Sequence, residues 1–238
     1  MDTTIIKEHI IRRAGGICRD LSKVFPEGDA RFHIGGGSLT GRLSDIDLFP
    51  DTTAVPTPNT ERVAETKNAS TYVGVSCPVQ VCNYQHDSLQ ELVDSFDFAH
   101  IQVGVTVKQS QGSLWVVDCY FTDAFVQSRA LGISWFTGSE YPLASLIRLS
   151  KYFKRGDMQK GSQIRCVLSI LTAIVERGFR DYEDFKDQLD AVDLGLLPEE
   201  FKEVGDSPLG ELFALLNRQE LKKDTPGCDE PTDNWPDW

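Results

Sequence analysis

Residues 35 to 49 read Gly35-Gly-Gly-Ser-Leu-Thr-Gly-Arg-Leu-Ser-Asp-Ile-Asp-Leu-Phe49, a glycine-rich turn set closely before two carboxylates at i and i+2. Alternate residues of a strand share a face, so Asp45 and Asp47 can converge on one point while Ile46 and Leu48 turn to the core. Converging carboxylates repel unless a cation stands between them, and Asp oxygens are hard ligands suited to Mg²⁺, with Mn²⁺ as a substitute. Two such ions about 4 Å apart can clamp the attacking and leaving oxygens of a phosphoryl-type displacement. Gly36 and Gly37, with Gly35, allow φ > 0 and close backbone approach, and Ser38 is expected to open a short helix whose free N–H groups can hold a triphosphate. Arg42 lies between turn and carboxylates, where its bidentate fork can reach a phosphate. Asp-x-Asp alone is common in β-turns and calcium sites; the full order of apolar strand, glycine turn, Ser and Ser-Asp-Ile-Asp-Leu-Phe is what carries the signal.

The elements around this run must hold it in place. A helix is expected over 4–24, capped by Thr3 or Thr4, with Ile6, Ile10, Ala14, Ile17 and Leu21 on one face. Strands are expected at 31–34 and 46–49, followed by an exposed Pro/Thr/Asn-rich loop from 51 to 68. Apolar, β-branched runs resume at 72–75, 79–84, 98–107 and 114–121, with a helical segment at 87–95. These make an α+β domain with a mixed sheet over 1–138. Beyond Gly138 the period changes to 3.6, giving two amphipathic helices through Leu143 to Tyr152 and Ile164 to Val175 and shorter ones at 181–190 and 208–222, a helical domain over 139–223. The tail 224–238 is acidic and carries Trp235 and Trp238, which dock on the body or bind a partner protein.

Forty per cent hydrophobic and 25% charged residues over 238 positions is ordinary globular usage, which excludes disordered and fibrous classes for the whole chain. The start has no basic n-region and no long apolar run, so a soluble cytoplasmic protein with no membrane association is expected. The six cysteines lack Cys-x2-Cys spacing and lie mostly in apolar stretches, as buried thiols do. A formal charge of −12 argues against broad duplex binding. The charge is uneven, however: 148–165 holds Arg148, Lys151, Lys154, Arg155, Lys160 and Arg165 against Asp157. Lys151, Lys154 and Arg155 recur at helical spacing opposite the apolar positions, which suits a triphosphate or an acceptor's backbone. His33 and His100 are expected inside strands as core or half-buried residues, and Trp115, Trp135 and Phe136 as core.

The glycine turn followed by Asp-x-Asp resembles the signature of the DNA polymerase beta superfamily of nucleotidyltransferases. Ser95-Phe-Asp-Phe-Ala-His-Ile-Gln102 is similar to the Arg-Arg-Asp-Phe-Thr-Ile-Asn motif of CCA-adding enzymes and bacterial poly(A) polymerases, and Tyr141-Pro-Leu-Ala-Ser-Leu-Ile-Arg148 to the helix that follows in that family. The resemblance covers roughly residues 30 to 155. It implies a polymerase-beta-like mixed sheet with flanking helices, bound NTP (ATP among them) and Mg²⁺, and an RNA or protein acceptor. It also implies a third carboxylate, for which Asp97, by its place in the motif, and Asp118 are the candidates. The departures are specific. Asp45 follows Ser38 closely, Ser95 and Phe96 replace the arginine pair, Gln102 stands where Asn is usual, and Gln80 where a family member can have an acid.

Two readings of the residues lead. One is a metal-dependent nucleotidyltransferase moving a nucleoside monophosphate from NTP to a hydroxyl on RNA, protein or a small molecule, with pyrophosphate release. The other is a catalytically degenerate member of that fold acting as a nucleotide- or partner-binding module. A wholly structural interaction protein stands third.

Overall fold

The computed structural model describes residues 2–41, 44–51, 55–66, 68–155 and 160–190. Arg42, the helix expected at 208–222 and the tail with Trp235 and Trp238 lie outside the described residues, as do the side chains of Lys154 and Arg155.

The chain is α+β, a mixed sheet with flanking helices. Helix α1 (Thr3–Leu21) begins at Asp2, not at a threonine: the Asp2 carboxylate accepts from the Thr4 N–H at 2.8 Å. The helix buries Ile6, Ile10, Ala14, Ile17 and Leu21, the stripe its spacing predicts. Strand β1 (Ala30–Gly35) leads through a 3₁₀ turn, Gly36–Leu39, to β2 (Ile46–Pro50). Strands β3 (Arg62–Glu65), β4 (Ala69–Tyr72), β5 (Val79–Cys82), β6 (Val103–Ser110) and β7 (Ser113–Phe121) complete a seven-stranded sheet in the order β3-β4-β5-β2-β1-β6-β7. The pairing of β2 with β5 is parallel and the others are antiparallel.

Strand β3 falls inside the stretch read as a loop. All four of its residues are exposed and it sits at the sheet edge, so no apolar alternation announced it. Helix α2 (Leu89–Asp94) starts at Ser88, whose hydroxyl accepts from the Glu91 N–H. A further helix, α3 (Asp123–Leu131), is capped by Thr122 and was not expected. Only Phe125 and Ser128 are buried on it, too few to print a helical period. Helices α4 (Pro142–Arg155), α5 (Lys160–Arg177) and α6 (Tyr182–Asp190) follow the 3.6 period of the sequence.

One face of the sheet packs Phe32, Ile34, Ile46, Leu48, Val79, Val103, Val105 and Val107 against α1. The opposite face, by alternation, presents His33, Gly35, Asp47, Phe49, Gln80, Gly104 and Thr106. Helix α2 covers part of it with Leu89, Leu92 and Val93 against Phe49 and Cys82. A separate cluster of Phe98, Ile101, Leu149, Tyr152, Cys166 and Ile170 joins the turn after α2 to α4 and α5. Cys18, Cys82, Cys119 and Cys166 are buried thiols and Cys77 is half-buried. His33 is buried in β1 as expected, whereas His100 lies in a 3₁₀ turn and Trp115 is 40% exposed on β7. Among the described residues no helix is long and apolar enough to cross a membrane.

Candidate functional site

The two carboxylates lie at the head of β2. Asp45 precedes the strand and Asp47 is its second residue, while Ile46 and Leu48 are buried on the other side. The β1–β2 register pairs Ile34 with Leu48, and so sets Gly35 opposite Asp47. On the far side β5 pairs Asp47 with Gln80. Asp47 therefore stands beside the first glycine of the turn.

That turn is shorter than a helix. Gly36 has φ +74°, a backbone that only glycine adopts without strain, and the chain then makes one 3₁₀ turn in which Ser38 is an inner residue, not the opening one. Ser38 is buried and its hydroxyl donates back to the Gly35 carbonyl at 3.3 Å. The amides of Thr40 and Gly41 both donate to the Gly37 carbonyl. Arg13, in α1, holds the loop from behind: its Nε donates to the Ser38 carbonyl at 2.6 Å and its Nη2 to the Gly41 carbonyl at 2.5 Å. The sequence did not single out Arg13. Its one signal was a charge on α1 directed at a loop whose position only folding reveals.

Helix α4 brings Lys151 to the pair, with Nζ 3.5 Å from Asp45 Oδ2 and both side chains about one-fifth exposed. Ser44 donates its hydroxyl to the other Asp45 oxygen. The thiols nearby feel both acids. Burial is the main cause that pushes Cys77 up to about 11, and Asp45, Asp20 and Asp47 add to it. Burial, then Asp47 and Asp45, hold Cys82 well above the ordinary thiol value.

A scan against models of protein families matched none of them, and a search of curated proteins found no match. The reading of the site therefore stands on its own geometry.

The two candidate third carboxylates lie in different surroundings. Asp97 is buried between the sheet half and the helical half, where Oδ2 accepts from Ser145 Oγ at 2.7 Å and from Arg148 Nε and Nη2 at 3.0 and 2.6 Å. Arg148, counted from sequence in the basic face of α4, is thus committed to an inward ion pair. Asp118 pairs across from Thr106 on β7, three strands from β2 in the sheet order. At strand spacing that is about 14 Å, too far to share a ligand sphere with Asp47. The position in register beside Asp47 is Gln80. Phe96 lies over Gly35: a Cβ there would meet its ring at 2.6 Å. Gln102 spans the same junction, with Nε2 donating to the Phe96 carbonyl and Oε1 accepting from Thr122.

Asp45 and Asp47 supply hard carboxylate oxygens, the donor type that Mg²⁺ takes, and Gln80 stands in register beside Asp47. Mg²⁺ keeps several waters and asks for one or two carboxylates plus substrate phosphate, so the residues present fit a single Mg²⁺ or Mn²⁺ ion.

Proposed function

We propose that this chain is a metal-dependent nucleotidyltransferase of polymerase-beta-like fold that moves a nucleoside monophosphate from NTP to an acceptor hydroxyl. One observation carries the reading: Asp45 and Asp47 lie at the head of β2, beside the Gly35–Gly37 turn, with Lys151 of α4 brought to within 3.5 Å of Asp45. Asp45 and Asp47 would hold Mg²⁺ or Mn²⁺, which when bound neutralises charge on the triphosphate. The Gly36-Gly37 backbone gives the phosphates close approach, and Ser38 and Arg13 keep that backbone in place. Lys151 supplies positive charge on the phosphate side, with Arg42, Lys154 and Arg155 as further candidates for the same role. In the reaction assigned, the acceptor oxygen bonds to the α-phosphorus, the α–β bridging bond breaks and pyrophosphate leaves. Preorganised charge is the principal source of rate in such a transfer. Acceptors of RNA, protein or small-molecule type remain the candidates, and the cytoplasm the expected compartment.

Gln80 beside Asp47, with Asp97 spent on Arg148 and Asp118 across the sheet, favours a second reading, a catalytically degenerate binding module. Pyrophosphate release from each of the four NTPs with Mg²⁺ or Mn²⁺, with and without total tRNA, separates the two. Turnover that disappears in the Asp45→Ala/Asp47→Ala variant while its circular dichroism is unchanged supports the transferase. NTP binding without turnover supports the module, and full activity in the double variant sinks the metal-site assignment.

A further inference from the structure

Helix α5 carries two apolar rows, where a helix on the surface of a domain ordinarily carries one. Cys166 and Ile170 turn inward against Leu149 and Tyr152 of α4. On the other side Ile164, Leu168, Leu171 and Val175 stand at i, i+4, i+7 and i+11, which aligns them in one row. All four face solvent, from 43% exposed at Leu171 to 81% at Val175. Single apolar side chains on a surface are ordinary, but an aligned row of them marks an interface.

The chain itself supplies a matching element. Past α6 it runs on through 208–222, outside the described residues, where Leu209, Leu212, Phe213 and Leu216 recur at i, i+3, i+4 and i+7. Ser207 and Pro208 suit a helix start, and Lys222 and Lys223 suit its last turn. A helix of that length alone in water is marginal, so it needs a surface for its apolar row. The reach is sufficient. Arg177, at the end of α5, donates to both carboxylate oxygens of Asp184 at 2.8 Å, which fixes the first turn of α6 beside the end of α5. Residues 191–207 then span up to about 55 Å when extended, against about 27 Å for the whole of α5.

We propose that the segment 208–222 forms an amphipathic helix that docks on the Ile164–Leu168–Leu171–Val175 row, adding a fourth helix to α4, α5 and α6. Two features select this occupant. A second copy of the chain would meet one row of side chains, far short of the roughly 20–30 residues a side of a standard interface, whereas a tethered helix docks at high effective concentration and needs less area. The stretch 224–238 holds Pro226, Pro231 and Pro236, so Trp235 and Trp238 have no helical row to set against α5. The docking requires nothing of the nucleotidyl-transfer reading.

The test is hydrogen–deuterium exchange of the full chain, read by mass spectrometry, beside two variants: Leu168→Glu/Val175→Glu on the row and Leu212→Gln/Phe213→Gln on the segment. Glutamine keeps the helix propensity while removing the apolar contact. In the parent, amides of 208–222 are expected to exchange at least about tenfold more slowly than the same sequence as an isolated peptide. Both variants are expected to lose that protection while α1, α4 and the sheet keep theirs. The segment variant leaves α5 untouched, so it decides the question even where charges on the row disturb folding. Unprotected 208–222 in the parent, or protection that survives in a folded variant, overturns the proposal. So does protection over 224–238 in place of 208–222. A dimer in sedimentation velocity that the row variant alone dissociates gives the face to a second copy and overturns it as well.

Discussion

If Asp45 and Asp47 hold a divalent ion as proposed, Gln80, in register beside Asp47, sets a neutral amide next to the pair and would limit its affinity. Replacing it by Glu or Asp adds a hard anionic oxygen to a site already negative. Mn²⁺ affinity, read by electron paramagnetic resonance, is expected to rise about tenfold in Gln80→Asp, the scale of one charged contact. Unchanged affinity would place the Gln80 side chain away from the pair. Lys151 is the counterpart on the other side. Its 3.5 Å approach to Asp45 is long for a hydrogen bond, an ionic contact that phosphate can outcompete. Lys151→Met is expected to raise the KM for NTP with little effect on unfolding midpoint.

At the scale of elements, the site depends on helices seated closely on the sheet. Helix α2 lies on β6 at Gly104, where a Cβ would meet Val93 at 2.7 Å and Leu89 at 2.8 Å. Gly104→Ala must therefore lift α2 or bend β6. A loss of about 1–3 kcal/mol, the usual cost of overpacking, is expected in urea unfolding. Stability equal to the parent's would show that α2 rides higher than this packing implies. Helix α1 acts differently, through Arg13 on the Ser38 and Gly41 carbonyls. Its apolar stripe was plain in the sequence; the reach of Arg13 to a loop across the core was not.

Across the whole molecule, Asp97 and Arg148 tie the turn after α2 to helix α4, which carries Lys151. Arg148→Met leaves a buried carboxylate without its charge partner, and a loss of about 3 kcal/mol is expected, partly recovered by adding Asp97→Asn. No recovery would mean that the arginine acts by packing alone. The same junction holds a pH dependence. Burial lowers His100 to about 4, where its ring sits 4.6 Å from Tyr152 of α4 and Nδ1 2.7 Å from Ser134 Oγ. The unfolded chain binds the proton at an ordinary histidine pKa of about 6.5, so its contribution is complete above that pH. It is lost as pH falls through about 4. The unfolding midpoint is expected to fall across that window, and less steeply in His100→Phe; parallel slopes would exclude this histidine.

The sequence by itself determined the α+β class, the α1 stripe, the period of α4 and α5 and the adjacency of the glycine turn to Asp45 and Asp47. These are local patterns: a residue two along a strand or four along a helix shares a face whatever else the chain does. Tertiary structure alone decided which strand lies beside β2, and with it that Gln80 and not Asp118 neighbours Asp47. It decided that Asp97 faces Arg148 and that Lys151 rather than Arg148 reaches Asp45. Register and crossover order depend on contacts far apart in the chain, and no local spacing encodes them.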